Sequence, residues 1–180
     1  MRWVALLRGI NVGGNKSIKM ADLRELLHTL GLEQVQTLLQ SGNVLLESNL
    51  PSEHLRDLLE TQLETHFGFS VRVILRNTPD FSEVIAQHPF SLIQLNETAK
   101  IGVLFFQSSP KQQLLTDWLM SYRGTEQLYY GTQHLYIFYT DGMGNSKLSH
   151  TVLEKQLKRV STMRNWNTLQ KLLTALQSKL

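Results

Sequence analysis

The chain has 180 residues, 42% of them hydrophobic, and a formal net charge of +3, which is apolar material for one large domain or two small ones. It contains no cysteine, so disulfides, thiolate nucleophiles and sulfur-ligated metals are excluded, as suits a reducing compartment. The first apolar run, Trp3-Val4-Ala5-Leu6-Leu7, is too short for a signal-peptide core or a membrane span, and a cytoplasmic protein without a membrane partner is expected.

Charge is unevenly spread. Residues 1–19 carry four basic and no acidic side chains, residues 20–146 seven basic and fourteen acidic, and residues 147–180 seven basic and one acidic. Two basic ends flank an acidic middle, and if the ends meet they make a surface suited to phosphate or nucleic acid. The alternative is a set of solvated helix faces.

Arg2 to Leu7 reads as a buried strand, since a short apolar run ending at glycine is too brief for a helix. A basic loop, Arg8-Gly9-Ile10-Asn11-Val12-Gly13-Gly14-Asn15-Lys16, follows. Met20, Leu23, Leu26, Leu27 and Leu30 then recur at helical spacing, with Gly31 as a left-handed stop. Strands over 34–40 and 44–48 flank Ser41-Gly42-Asn43, a tight-turn composition. Ser52 is expected to cap a second helix that ends at Gly68, and 69–75 supplies a fourth strand. This order, strand, helix, strand, strand, helix, strand, is the split βαβ arrangement of ferredoxin-like domains, completed by residues 1–77.

Residues 78–98 read as a connecting helix and linker, with Thr78 as cap, Pro79 in the first turn and His88-Pro89 as the stop. The pattern then returns over 99–180. A strand spans 100–106, and Ser109-Pro110-Lys111-Gln112 has capping-box spacing before a helix bearing Leu114, Leu115, Trp118 and Leu119. A hairpin spans 127–130 and 134–140, a helix 149–158, a short strand 160–163, and a final helix carries Leu169, Leu172, Leu173 and Leu176. The fold class is α+β, with two tandem ferredoxin-like (βαββαβ) subdomains, the second extended by a C-terminal helix. The repeat is one of topology, without a matching repeat of sequence.

Three polar loops could carry chemistry. In the first, closely spaced glycines bring main-chain N–H groups near whatever lies above them, which suits an anion. Gly9 and Gly14 have P-loop spacing, but Asn15 intervenes before Lys16 and Ser17, which turns the lysine away from a phosphate so bound. The second loop, Asp141-Gly142-Met143-Gly144-Asn145-Ser146-Lys147, leaves a strand for a helix N-terminus, where an anion is favoured. The third, Arg164-Asn165-Trp166-Asn167-Thr168, opens the last helix, with Asn165 or Asn167 as cap and Arg164 able to grip an anion with two prongs. In each case the plainer alternative is turns and caps alone.

Leu6-Leu7-Arg8-Gly9-Ile10-Asn11-Val12-Gly13-Gly14-Asn15, Gln40-Ser41-Gly42-Asn43, Ser146-Lys147-Leu148 and Thr162-Met163-Arg164-Asn165-Trp166-Asn167-Thr168 together resemble the bacterial family catalogued as domain of unknown function 1697. The resemblance covers nearly the whole chain and implies two ferredoxin-like subdomains. It brings no reaction, ligand or cofactor. Leu38-Leu39 depart from it, standing where many relatives are expected to have an aromatic residue.

Catalytic signatures are thin. Ser41 lies outside a G-x-S-x-G elbow and has no assigned histidine base, and the histidines form no H-x-x-x-H pair, so no metal is expected. The leading expectation is a small phosphorylated or anionic ligand held between the subdomains by Arg8, Asn11, Gly13, Gly14, Lys16, Ser41, Asn43, Lys147, Arg164 and Asn167. Whether a reaction follows, the sequence leaves open. A second reading is nucleic-acid binding through the basic ends, with bases stacked on Tyr136, Phe138 and Phe105 or Phe106, although no RNP1-like run is present. A third is a protein-interaction module.

Overall fold

The computed structural model describes residues 1–178. By internal packing they divide into two units, one comprising Met1–Ser82 together with the chain from Leu172 onward, the other Glu83–Lys171.

The first unit contains β1 (Arg2–Leu7), α1 (Met20–Thr29), β2 (Glu33–Leu38), β3 (Asn43–Glu47), α2 (Ser52–Phe67) and β4 (Val73–Asn77). Its sheet has the order β2-β3-β1-β4 with every neighbouring pair antiparallel. Strand alternation sends Trp3, Ala5, Leu7, Val44, Leu46, Val73 and Leu75 into one core with the leucine stripes of α1 and α2. The residues between them, Val4, Leu6, Leu45 and Ile74, are fully buried on the opposite face. Burial on both faces is why β1 reads as a continuous apolar run instead of an alternating one.

The second unit begins within α3 (Thr78–Ala86) and continues through α4 (Leu92–Leu95), β5 (Ile101–Phe106), α5 (Gln112–Ser121), β6 (Gln127–Tyr130), β7 (His134–Phe138), α6 (His150–Leu157), β8 (Ser161–Asn165) and the start of α7 (Trp166–Gln177). Its sheet order is β6-β7-β5-β8, again antiparallel throughout. Leu104, Phe106, Leu135 and Ile137 pack with Leu115, Leu153 and Leu157 of the helices α5 and α6. On the other face Tyr136 lies edge-on to Phe90 and His134, and Phe90 lies edge-on to Trp166. The Tyr136 hydroxyl donates to Val84 O at 2.7 Å. Burial, aided by the Glu83 charge, pushes that hydroxyl up to about 12. Phe105, Phe106, Tyr136 and Phe138 are all buried, so these sheet aromatics offer no open ring for base stacking, contrary to the second reading above.

Several local expectations are corrected. Ser52 is the first helical residue of α2 and makes no side-chain cap, the cap position being Pro51. Thr78 does not cap α3; the Asn77 side chain does, accepting from Asp80 N at 2.8 Å, while the Thr78 hydroxyl donates to Arg2 O. Ser109 donates to Thr132 O and α5 starts only at Gln112. A complete capping box occurs elsewhere, at Ser91 and Gln94 of α4, a helix missed in the sequence. The fourth strand starts at Val73, later than expected.

The structure also aligns an Arg-Asn pair that recurs at one register position in both units. Arg76 pairs with Val4 across β4 and β1, and Arg164 pairs with Val103 across β8 and β5. Both arginines are buried, and each guanidinium donates to the carbonyl of the preceding residue, Leu75 at 2.7 Å and Met163 at 2.9 Å. The next residue in each case is a helix-capping asparagine: Asn77 for α3, and Asn165, which accepts from Thr168 N at 2.8 Å, for α7. The central strands end alike too. Leu7 N and Arg8 N donate to Gly42 O and Arg72 O, and Phe106 N and Gln107 N to Gln133 O and Val160 O.

Candidate functional site

The two motifs of the first unit meet in space. Asn11 sits in the left-handed region at φ 55°, which asparagine tolerates better than most side chains. Its amide donates to Ile18 O at 2.9 Å and Gln40 O at 2.7 Å, and its oxygen accepts from Ile18 N at 2.8 Å. One side chain thus closes the glycine-rich loop and ties it to the turn before β3. Asn43 is fully buried, and its amide donates to Leu38 O and Ser41 Oγ, both at 3.0 Å. Between them, Gly42 has φ 77°, and a Cβ there would stand 2.7 Å from Leu7 Cβ. These polar residues fasten backbone to backbone.

Arg8 is half-buried at the end of β1. Gly13 and Gly14 are exposed with φ 66° and 82°, in open space, so glycine there serves the turn itself. The Lys16 ammonium donates to Ser70 O at 2.6 Å and stands 6.0 Å from the Phe69 ring.

In the second unit, Arg164 is 7% exposed and its guanidinium also donates to Thr162 Oγ1 at 2.9 Å. Burial lowers it to about 10, which leaves it charged at neutral pH. Asn167 is exposed in the first turn of α7, where Asn165 is the cap. Lys147 is exposed, and its ammonium has no partner among the described residues.

Lys147 stands at a cleft of about 450 Å³ in the second unit. One side is the 141–148 loop, the other the 122–126 segment, and Leu148 and Val152 supply apolar wall. The two sides are joined through Glu126, whose carboxylate accepts the hydroxyls of Tyr122 and Ser146. Ser146 Oγ in turn accepts from Leu148 N at 2.9 Å. The Thr125 hydroxyl donates to Asp141 Oδ2 at 3.0 Å, and the Asn145 amide to Asp141 O at 2.9 Å.

This network sets the charge states. Burial pushes the Tyr122 hydroxyl well above the usual tyrosine range, reinforced by its hydrogen bond to Glu126 and by that carboxylate's charge. Burial alone would raise Glu126, but donation from Ser146, Tyr122 and the backbone at Glu126 and Thr125 outweighs it, and the carboxyl is held below its ordinary value. Gly124 makes the pair sterically feasible: a Cβ there would stand 1.9 Å from the Tyr122 hydroxyl oxygen.

Of the residues expected to form a site, Asn11, Ser41 and Asn43 are joined through the turn before β3, and Lys147 belongs to the cleft. Tyr122, Thr125 and Glu126 went unrecognised in the sequence. The signal available was Tyr122-Arg123-Gly124-Thr125-Glu126, polar residues around a glycine between a helix and a strand.

Among the described residues, no group of three His, Asp or Glu side chains is placed to hold a metal, and no helix is long and apolar enough to cross a membrane. Over 98% of both chains the fold is similar to that of the conserved bacterial protein SP0830 from Streptococcus pneumoniae, with a TM-score of 0.79 and 27% identity. No curated protein matches the sequence. The family model described as protein of unknown function (DUF1697) matches residues 1–136, and the chain belongs to that family.

Proposed function

We propose that this protein binds a small polar molecule in the cleft between the 141–148 loop and the 122–126 segment. The observation that carries this reading is a concavity of about 450 Å³, within the size range of ligand sites, in which a few polar groups converge beside apolar wall. The test is a thermal-shift screen of the full chain against metabolites, cofactors, sugar phosphates and amines. A ligand at about 100 times its dissociation constant adds roughly 2.7 kcal/mol to stability. That shift should vanish in Val152→Trp, which fills the cleft from a half-exposed position, while the unliganded midpoint stays within a degree or two. A shift of the same size in the variant would place the ligand elsewhere.

One observation favours a second site. The 8–19 loop is fixed by Asn11, yet the backbone N–H groups of residues 12–14 donate to no backbone carbonyl among the described residues. With Arg8 and Lys19 nearby in sequence, this supports phosphate binding there. Inorganic phosphate should then shift the amide resonances of Val12 to Gly14, an effect lost in Arg8→Ala. The strand orders 2-3-1-4 and 6-7-5-8 support reading each unit as a ferredoxin-like subdomain.

A further inference from the structure

The same cleft has a hydrogen-bond inventory that names the chemistry of its guest; this step rests on the cleft being the ligand site. A side-chain hydroxyl has one hydrogen to give, and the three lining the cleft are already committed inward: Tyr122 and Ser146 to Glu126, and Thr125 to Asp141. The Tyr122 and Thr125 oxygens remain as acceptors, while Ser146 Oγ already accepts from Leu148 N. The Asp141 side chain is exposed and only its Oδ2 is engaged. Among the lining side chains two carboxylates face one ammonium, Lys147, so the formal charge of the wall is −1.

A phosphate or carboxylate entering this cleft meets one cation and two anions, with no hydroxyl hydrogen to receive it. A cation meets free acceptor oxygens and a net negative wall. The apolar part of the wall, Leu148, Val152 and the Tyr122 ring, asks for hydrocarbon next to the charge. We infer that the cleft takes an ammonium or guanidinium group carried on an apolar body, either as a free small amine or as a basic side chain of a peptide. This reading differs from the phosphate expectation for the loop containing Lys147, and the two are separated by the experiment below.

The experiment is a titration of the full-length ¹⁵N-labelled protein, following amide shifts of residues 122–126 and 141–148. Matched probes are phenethylamine, benzylguanidine, phenylacetate and phenyl phosphate, with the capped dipeptide acetyl-Phe-Lys-amide as the peptide source. The expected result is binding of a cationic probe at least tenfold tighter than either anion, weakened about tenfold by Asp141→Asn and unchanged or tightened by Lys147→Ala. Cleft shifts from the dipeptide with none from the free amines would identify a peptide as the source of the same chemistry. If phenyl phosphate binds more tightly and Lys147→Ala abolishes it, the cation assignment is overturned while the cleft stands as a site. If no probe moves any cleft resonance, and the broader screen gives no shift sensitive to Val152→Trp, both the cleft and its assigned ligand fall.

Discussion

Asn11 joins a left-handed backbone to three side-chain hydrogen bonds, and each donor or acceptor it satisfies would otherwise need water or strain. Asn11→Ala should therefore destabilise the protein by about 1–3 kcal/mol, read as a lower urea midpoint with an unchanged slope. Gly14 and Gly42 separate two reasons for glycine. Both have positive φ, but only at Gly42 would a Cβ strike other atoms. Gly14→Ala should cost about 1–2 kcal/mol, the left-handed penalty alone, and Gly42→Ala clearly more, because Leu7 and Ile10 must move; equal midpoints for the two would remove the steric argument. The sequence showed that 8–16 is a special loop. That Asn11 reaches Gln40 was hidden, since a contact between residues 29 apart leaves no local pattern.

Helix ends illustrate what local sequence does and does not encode. Gly31 and Gly68 are stops with left-handed φ values, and Ser149, read as the first residue of its helix, is instead the cap of α6. Thr78 and Ser109 had the composition of caps, yet each found a tertiary carbonyl to donate to instead. Asn77→Ala and Asn165→Ala should each cost about 1 kcal/mol, measured by chemical denaturation, whereas Thr78→Ala should leave α3 capped. β8 was hard to read because Ser-Thr-Met-Arg-Asn has no apolar alternation; it is an edge strand held through main-chain pairing with β5. The 141–148 loop depends on the ionised Glu126. Its folded pKa lies below the unfolded 4.5, so its contribution is complete above the unfolded value and is lost as pH falls through the lower folded one. Protection of the loop amides, taken relative to their intrinsic exchange rates, should fall in that acidic window, and in Glu126→Gln it should already be low at neutral pH.

Across the whole molecule, the order of the eight strands and of every helix but α4 was legible because hydrophobic period recurs locally in each half, with glycine stops at Gly31 and Gly68 in the first and a left-handed Lys158 ending α6 in the second. The register match of Arg76-Asn77 with Arg164-Asn165 was not, since two residues recurring 88 positions apart become meaningful only once strand pairing aligns Val4 with Val103. The equivalence is testable. Arg76→Ala and Arg164→Ala should each lower stability by about 1–3 kcal/mol, as expected for buried bonds from a charged donor; a large loss in one with none in the other would mean that the match is superficial.

The two halves lengthen different corners of one plan. After the first strand, the first unit runs through residues 8–19 and the second only through 107–111; after the third, the first needs just 48–51 and the second 139–149. Each half therefore serves as the undecorated template for the other's extension. Replacing 8–19 by 107–111, or 139–149 by 48–51, would strip a decoration at a junction that the fold already knows how to close, and so separate what the scaffold requires from what its user requires.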